Sequence, residues 1–240
     1  MVTQQRLLDV VVQLADTLVA EFDMIDFLHT LTETCVELLD ADAAGLMLAD
    51  QRGQLQVIAS STEETRMVEL FELQHDEGPC LDCYRDGAAI TNIDPDEAEQ
   101  RWPTFGTAVR AAGFRSVHAL PLRLRDEVIG AINLFLARPG TLSLQDLSLG
   151  QALADIATIG LLQERAIQER QILSEQLQSA LNSRVLIEQA KGILAERHGL
   201  EMAPSFTVMR TYARRTGNPL ALVASDVIAG TLNQATLRRT

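Results

Sequence analysis

The chain has 240 residues, 47% of them hydrophobic and 22% charged, with a formal net charge of −13. That apolar content excludes wholesale disorder, the lack of a long apolar run excludes a helical membrane span, and the length implies one large domain or two small ones. Three cysteines, an odd count, and a start without a signal-peptide layout point to reduced thiols and a cytoplasmic home.

In chain order, residues 4–22 predict an amphipathic helix with Leu7, Leu8, Val11, Leu14, Leu18 and Val19 in one stripe. Asp23 is a suitable N-cap for a second helix reaching about residue 39. Short strand-like runs at 43–49 and 55–60 flank Asp50-Gln51-Arg52-Gly53, a hairpin signal with Gly at the left-handed position. A helix is expected over about 62–73, then a loop at 74–79. A short helical piece follows, carrying Cys80 and Cys83 and closed by Gly87. Residues 88–91 read as a brief strand, 92–103 as a polar stretch, and 104–112 as a helix stopped by Gly113. Two longer strands, 116–124 and 127–136, flank Arg125-Asp126 and look like a central pair covered on both faces. Val128, Ala131 and Leu134 are expected on one side of the second, with Ile129 and Ile132 on the other.

Ser143 then caps a helix starting at Leu144, and no Pro or Gly-rich break occurs before Gly199. Ile159, Ala166, Leu173, Ala180, Ile187 and Leu194 recur every seven residues, with Leu162 and Leu177 between them. The spacing predicts a parallel dimer along this segment, with a heptad left imperfect by Glu169 and Gln176; the alternative is an ordinary helix packed within its own chain. Two short helices follow. In the first, 204–216, Pro204 suits the first position and Phe206, Met209 and Ala213 form the stripe. In the second, Asn218 is the expected cap, Pro219 the first helical residue, and Leu220, Val223, Val227 and Ile228 the apolar face.

The charge is unevenly placed. Residues 1–182 hold 12 basic and 29 acidic side chains, whereas residues 183–240 hold 8 basic and 4 acidic ones. A basic tail behind an acidic front is the electrostatic footprint of a nucleic-acid module fused to an acidic domain. Residues 183–194 sharpen this reading. On a helical wheel Leu186, Ile187, Ala190, Ile193 and Leu194 share one face, while Arg184, Glu188, Lys191, Gly192 and Ala195 share the other. Lys191 is the only lysine against 19 arginines, and the glycine and alanine beside it let a partner approach the backbone.

Ser183-Arg184, the run Ile187-Glu188-Gln189-Ala190-Lys191-Gly192-Ile193-Leu194, then Phe206, Arg210, Ala213 and Leu222-Val223-Ala224 resemble an ANTAR domain, over about 175–230. That family is a three-helix RNA-binding module of bacterial transcription antitermination regulators. The first 165 residues resemble a GAF domain, a small-molecule or redox sensor. The carrying stretches are Glu77-Gly78-Pro79-Cys80-Leu81-Asp82-Cys83-Tyr84-Arg85, Gly113-Phe114-Arg115-Ser116-Val117 and Val128-Ile129-Gly130-Ala131-Ile132-Asn133-Leu134-Phe135. Together the chain is similar to the GAF–ANTAR regulators of actinobacteria. One departure is Ala203-Pro204-Ser205-Phe206, where the family usually has an acidic pair followed by Ala-Phe; it weakens the cap and puts a hydroxyl in place of a small apolar contact.

The resemblance implies an α+β chain in three parts: a GAF-like antiparallel sheet with flanking helices over 1–158, a connecting coiled-coil helix over 159–182, and an all-α ANTAR-like module over 183–240. It implies a signal-responsive antiterminator whose dimer binds stem-loops in leader RNA, so that a terminator does not form. The candidate RNA-binding residues are Arg184, Gln189, Lys191, Gly192, Arg210, Arg214 and Arg215. Cations hold phosphates, Gln189 can bond a base edge, and Gly192 leaves room for a splayed base. Tyr212 either stacks on a base or packs between helices, and Ser225 is a weaker candidate.

Cys80 and Cys83 form a candidate redox pair near a helix start, where a thiolate would be favoured; the alternative is two thiols in the sensor core. His75 and His118 lack ligand-like spacing, so no metal and no cofactor is expected. The acidic pairs Glu63-Glu64, Asp76-Glu77 and Asp126-Glu127 read as solvated, and no phosphate loop or nucleophile–base pairing points to an enzyme. The expected partners are RNA, a second copy of the chain and an unidentified small-molecule or redox signal, with no membrane. The alternatives are a thiol-based redox sensor, or a protein–protein adaptor whose basic tail docks an acidic partner.

Overall fold

The computed structural model describes residues 23–199 and 201–232, with positions 10, 12, 236 and 237; apart from positions 10 and 12, the helix expected over 4–22 lies outside the described residues. The chain divides into two compact units, Met1–Arg165 and Ala166–Thr240.

The first unit is built on a five-stranded antiparallel sheet: β1 (Ala43–Ala49), β2 (Leu55–Ser60), β3 (Ile90–Ile93), β4 (Ser116–Leu124) and β5 (Glu127–Leu136), in the order β2-β1-β5-β4-β3. Helix α1 (Met24–Leu38) starts as expected at Asp23, whose carboxylate accepts from the Ile25 and Asp26 N–H groups. It covers one sheet face, burying Phe27, Leu28 and Leu31 against Leu46, Leu120, Leu122, Ile132 and Leu134. Burying Leu and Phe side chains of this kind stabilises by about 2 kcal/mol each. The other face is covered by α2 (Glu63–His75), α3 (Pro79–Asp86), α4 (Pro95–Arg101) and α5 (Pro103–Ala111), over Met47, Val117, Ala119, Ala131 and Phe135.

Three expectations change here. Ala131 and Leu134 lie on opposite faces, and Ile132 shares a core with Leu134, because strand side chains alternate with a period of two. The brief strand falls at Ile90–Ile93, not 88–91. The polar stretch after it contains α4, capped by Asp94, which accepts from Asp96 and Glu97 N–H at 2.9 Å. Asp-Pro-Asp-Glu is itself an N-terminal helix signature: cap, proline at the first position, acidic first turn.

Helix α6 (Leu144–His198) runs 55 residues and is capped by Ser143, whose Oγ accepts from Asp146 N–H while the Asp146 carboxylate accepts back. Leu153, Ala154, Ala157 and Leu161 join the α1 core. Every residue from 167 to 182 is exposed, Leu173 and Leu177 at 63% each. The last turns build the second unit: Ala190 and Leu194 pack with Met209 and Ala213 of α7 (Met202–Thr216) and Val223, Ala224 and Val227 of α8 (Leu220–Ala229). The seven-residue repeat therefore splits, its exposed members ending at Ala180 while Ile187 and Leu194 serve the three-helix core.

Both short helices begin differently from expectation. Glu201 is the N-cap of α7, so Pro204 is its third residue, and the buried stripe is Ser205, Met209 and Ala213. The Ser205 hydroxyl is satisfied by donating to the Glu201 carbonyl at 2.9 Å, so its burial leaves no polar group stranded. In α8, Pro219 stands at the cap and Asn218 makes no capping bond; the Asn218 N–H instead donates to the Ala213 carbonyl and closes α7.

Candidate nucleic-acid interface and sensor core

The two faces expected for residues 183–194 are present. Ala190 and Leu194 are buried, with Leu186, Ile187 and Ile193 packed against the same core. Arg184 and Gln189 are exposed. Lys191 is not an open cation: its side chain is only 16% exposed, and Nζ donates to both Glu188 carboxylate oxygens at 2.8 and 2.9 Å. A Cβ built on Gly192 would meet no atom within 4 Å. Gly in a helix interior costs about 1 kcal/mol relative to Ala, and nothing inside this unit demands it.

Arg210, Arg214 and Arg215 are exposed on α7, at or beside positions one residue past the buried Met209 and Ala213. The Arg215 guanidinium lies 5.2 Å from the Tyr212 ring centroid, and Tyr212 packs against the three-helix core, the second of the two roles considered for it. Ser225 is exposed on α8. The candidate RNA-binding residues thus gather on α6 and α7 of the second unit, whereas Cys80 and Cys83 belong to the first.

Those thiols are fully buried on α3, packed with Met47, Leu55, Leu81, Ala119 and Ala131, and neither is in a disulfide. Burial pushes Cys83 up to about 12, with the Glu72 and Asp86 charges adding to it, and pushes Cys80 well above the ordinary thiol range. The helix start does not produce thiolates here, since desolvation outweighs it. His118 is buried on β4; its Nδ1 accepts from Asn92 N–H at 3.0 Å, which leaves the proton on Nε2, 3.2 Å from Ser116 Oγ. Burial holds it near 4, in the neutral form. Of the acidic pairs read as solvated, Glu77 is otherwise: it accepts from the Thr104 and Phe105 N–H groups and caps α5. Among the described residues no group of three or more His, Cys, Asp or Glu side chains could hold a metal, and no helix is long and apolar enough to cross a membrane.

The sequence reading missed two carboxyls. On α2 the buried residues are Thr65, Val68, Glu69 and Glu72, while Met67, Leu70 and Phe71 face outward: the amphipathic order is inverted. Glu69 Oε2 accepts from Ser60 Oγ at 2.7 Å. Glu72 accepts from Leu81 N–H at 3.0 Å and from Asn133 Nδ2 at 3.1 Å. Glycine makes room for both: a Cβ on Gly45 would lie 1.9 Å from Glu69 Oε1, and one on Gly78 2.5 Å from the Glu72 carboxyl. Burial raises both acids, Glu72 to about 8 and Glu69 well above the carboxylate range. The signal available in sequence was the helix's own conflict, with Glu at positions i, i+3 where its stripe wants Leu.

The structure is similar to solved GAF domains at identities that establish the fold. The GAF domain of an Acinetobacter phosphoenolpyruvate-protein phosphotransferase matches with a TM-score of 0.52 at 15% identity, covering 70% of this chain and 98% of that one. The corresponding domain from Coxiella burnetii matches at 0.50 and 16%, covering 68% and 96%. The cyanobacteriochrome TePixJ GAF domain matches at 0.50 and 20%, covering 61% and 93%. No curated protein matches the chain. Residues 175–228 match the ANTAR domain, a span that contains all seven RNA-binding candidates. Since the GAF domain matches residues 23–162, more than half of the 240, the chain belongs to the GAF domain family and, with the ANTAR domain that follows, has the build of a GAF–ANTAR regulator.

Proposed function

We propose that the protein is a signal-responsive RNA-binding antiterminator, in which the sensor over residues 1–158 gates a reader over 183–240 through a dimerising segment at 159–182. The observation that carries the reading is the ANTAR match at 175–228, which overlaps the C-terminal part of the chain, residues 183–240, where 8 basic side chains outnumber 4 acidic ones. Arg184, Lys191, Arg210, Arg214 and Arg215 hold phosphates of a stem-loop, Gln189 meets a base edge, and Gly192 admits the nucleotide close to the helix backbone. Dimerisation is supported by Ile167, Ile172, Leu173, Leu177 and Leu181, all exposed along one stretch of α6 in the single chain. Two reader modules then engage two successive stem-loops and keep the terminator hairpin from forming. A signal bound to the sensor acts by preferring one state of the dimer over the other.

The test is binding of a tandem stem-loop leader RNA by the full chain and by Lys191→Ala across a salt series. Loss of one phosphate contact should weaken binding and reduce the salt slope by about 1. An unchanged affinity and slope would remove Lys191 from the interface.

A further inference from the structure

We infer that the sensor core is a proton-binding site: Glu69, Asn133 and Glu72 form a buried relay that pins α2 to the sheet while the carboxyls are protonated and loosens it when they ionise. This reading rests on the first unit alone and is independent of RNA binding.

Two buried oxygens of this core lack hydrogen-bond partners. Glu69, Glu72 and Asn133 are each 0% exposed, yet Glu69 Oε1 and Asn133 Oδ1 are buried acceptors with no hydrogen bond. Leaving such a group unpaired in a protein interior costs about 1–3 kcal/mol. Both are acceptors, so the deficit is of hydrogens. Asn133 is the residue opposite Gly45 in the β1–β5 register, and the Glu69 carboxyl occupies the space where a Gly45 Cβ would stand. Directly opposed residues of antiparallel strands place their Cβ positions about 5 Å apart on one face. Asn133 therefore stands beside Glu69 on one side while its Nδ2 donates to Glu72 on the other.

Protons supply what is missing. A protonated Glu72 carries its own O–H toward Asn133; turning the amide over presents Oδ1 to that O–H and swings Nδ2 to the side of the Glu69 carboxyl. Glu69, protonated or accepting, completes the row, with Ser60 holding its other oxygen. Carbonyl and amide ends of Asn are interchangeable in shape, so the turn needs no repacking.

Nothing nearby substitutes for the proton. The titratable groups of α3 that face the pair are Cys80, Cys83 and Asp82, which are neutral or anionic and raise the acids further or are raised by them. Strands β1 and β2 carry no titratable residue, and β5 has only the exposed Glu127 at its start. On β4, Arg123 is exposed and His118 pairs with Leu134, one position from Asn133's partner Ala119, which puts it on the opposite face. Ionising both carboxyls would leave two negative charges between α2 and the sheet. The donors facing them are the Ser60 hydroxyl, the Asn133 amide and the N–H groups at the start of α3.

A folded-state acid held above its unfolded value stabilises the fold at low pH, and that stability is lost as pH rises through the folded value. Each linked proton changes the unfolding equilibrium about tenfold per pH unit in that window. The experiment measures urea unfolding of the full chain from pH 6.5 to 8 through Trp102, the single tryptophan, which is buried in the first unit. An unfolded His118 is still about half protonated at pH 6.5 and an unfolded thiol begins to ionise near pH 8, so the slope is read as the difference between the wild type and the Gln variants, in which those contributions cancel. The wild type should lose stability with rising pH by up to about a hundredfold per unit for two protons, and Glu72→Gln and Glu69→Gln should each reduce that slope by about tenfold. Equal slopes in wild type and both variants overturn the proposal. Infrared spectra of the wild type at pH 6.5 need no variant to fold: a protonated carboxylic acid band that fades toward high pH supports the site, and its absence overturns it. A slope that follows sodium or potassium concentration in place of pH would assign the row to a cation, which also overturns it.

Discussion

Replacing Gly192 with alanine should move stability and RNA binding in opposite directions. Gly192 lies inside α6, and the added Cβ meets nothing within 4 Å, so the substitution carries no steric debit. The helix gains about 1 kcal/mol from the lower backbone entropy of the unfolded chain. For a unit of 60–100 residues that raises the melting temperature by roughly 4–8 °C, readable by calorimetry of the full chain in the transition of residues 166–240. The same methyl group stands where a nucleotide is proposed to approach the helix backbone, so affinity for a tandem stem-loop RNA should fall by about tenfold, equivalent to about 1.4 kcal/mol. A purely structural glycine would lose both properties together. If Gly192→Ala binds RNA like the wild type, the close approach is wrong; if it melts lower, the helix argument is wrong.

Leu177→Glu, at a side chain 63% exposed in the single chain, should leave the folded units intact and shift the protein from dimer to monomer in sedimentation analysis, weakening tandem stem-loop binding more than single stem-loop binding. If the mass is unchanged, the exposed stripe is not the dimer seam. His118 works opposite to the carboxyls: its folded value near 4 lies below its ordinary 6.5, so it contributes stability above pH 6.5 that is lost as pH falls toward 4, on the order of 3 kcal/mol in all. Urea titrations of His118→Asn over pH 4–6.5 should show a flatter acid limb than the wild type, and an identical limb would refute the assignment.

Strands β1, β2, β4 and β5 were legible because each is an apolar run bounded by turn residues, and the limits read from sequence coincide with those in the structure. The caps at Asp23 and Ser143 were equally local. What sequence hid depends on partners far along the chain. Glu69 and Glu72 sit in a helix that is correctly located by pattern, yet their burial is made possible by Ser60, Leu81 and Asn133, up to 61 positions away, and by the missing side chains of Gly45 and Gly78. The same holds for the thiols: a helix start predicts a thiolate locally, and the sheet that desolvates it is assembled from β1, β4 and β5. On the reader, the split of residues 183–194 into two faces was visible from periodicity, while the hold of Glu188 on Lys191 follows from which of several i, i+3 rotamers the packed unit selects.

The rarity of lysine in this chain makes Lys191 a chemical address. An amine-reactive reagent finds one side chain to modify in 240 residues, on the face assigned to the ligand and already engaged by a carboxylate. Its labelling rate, read on its own peptide so that the chain's α-amino group is kept apart, reports on that face: the Glu188 contact sets the resting rate, and an occupant of the face should slow it further. Protection of that one lysine can then follow occupancy of the proposed reader without a dye or a substitution.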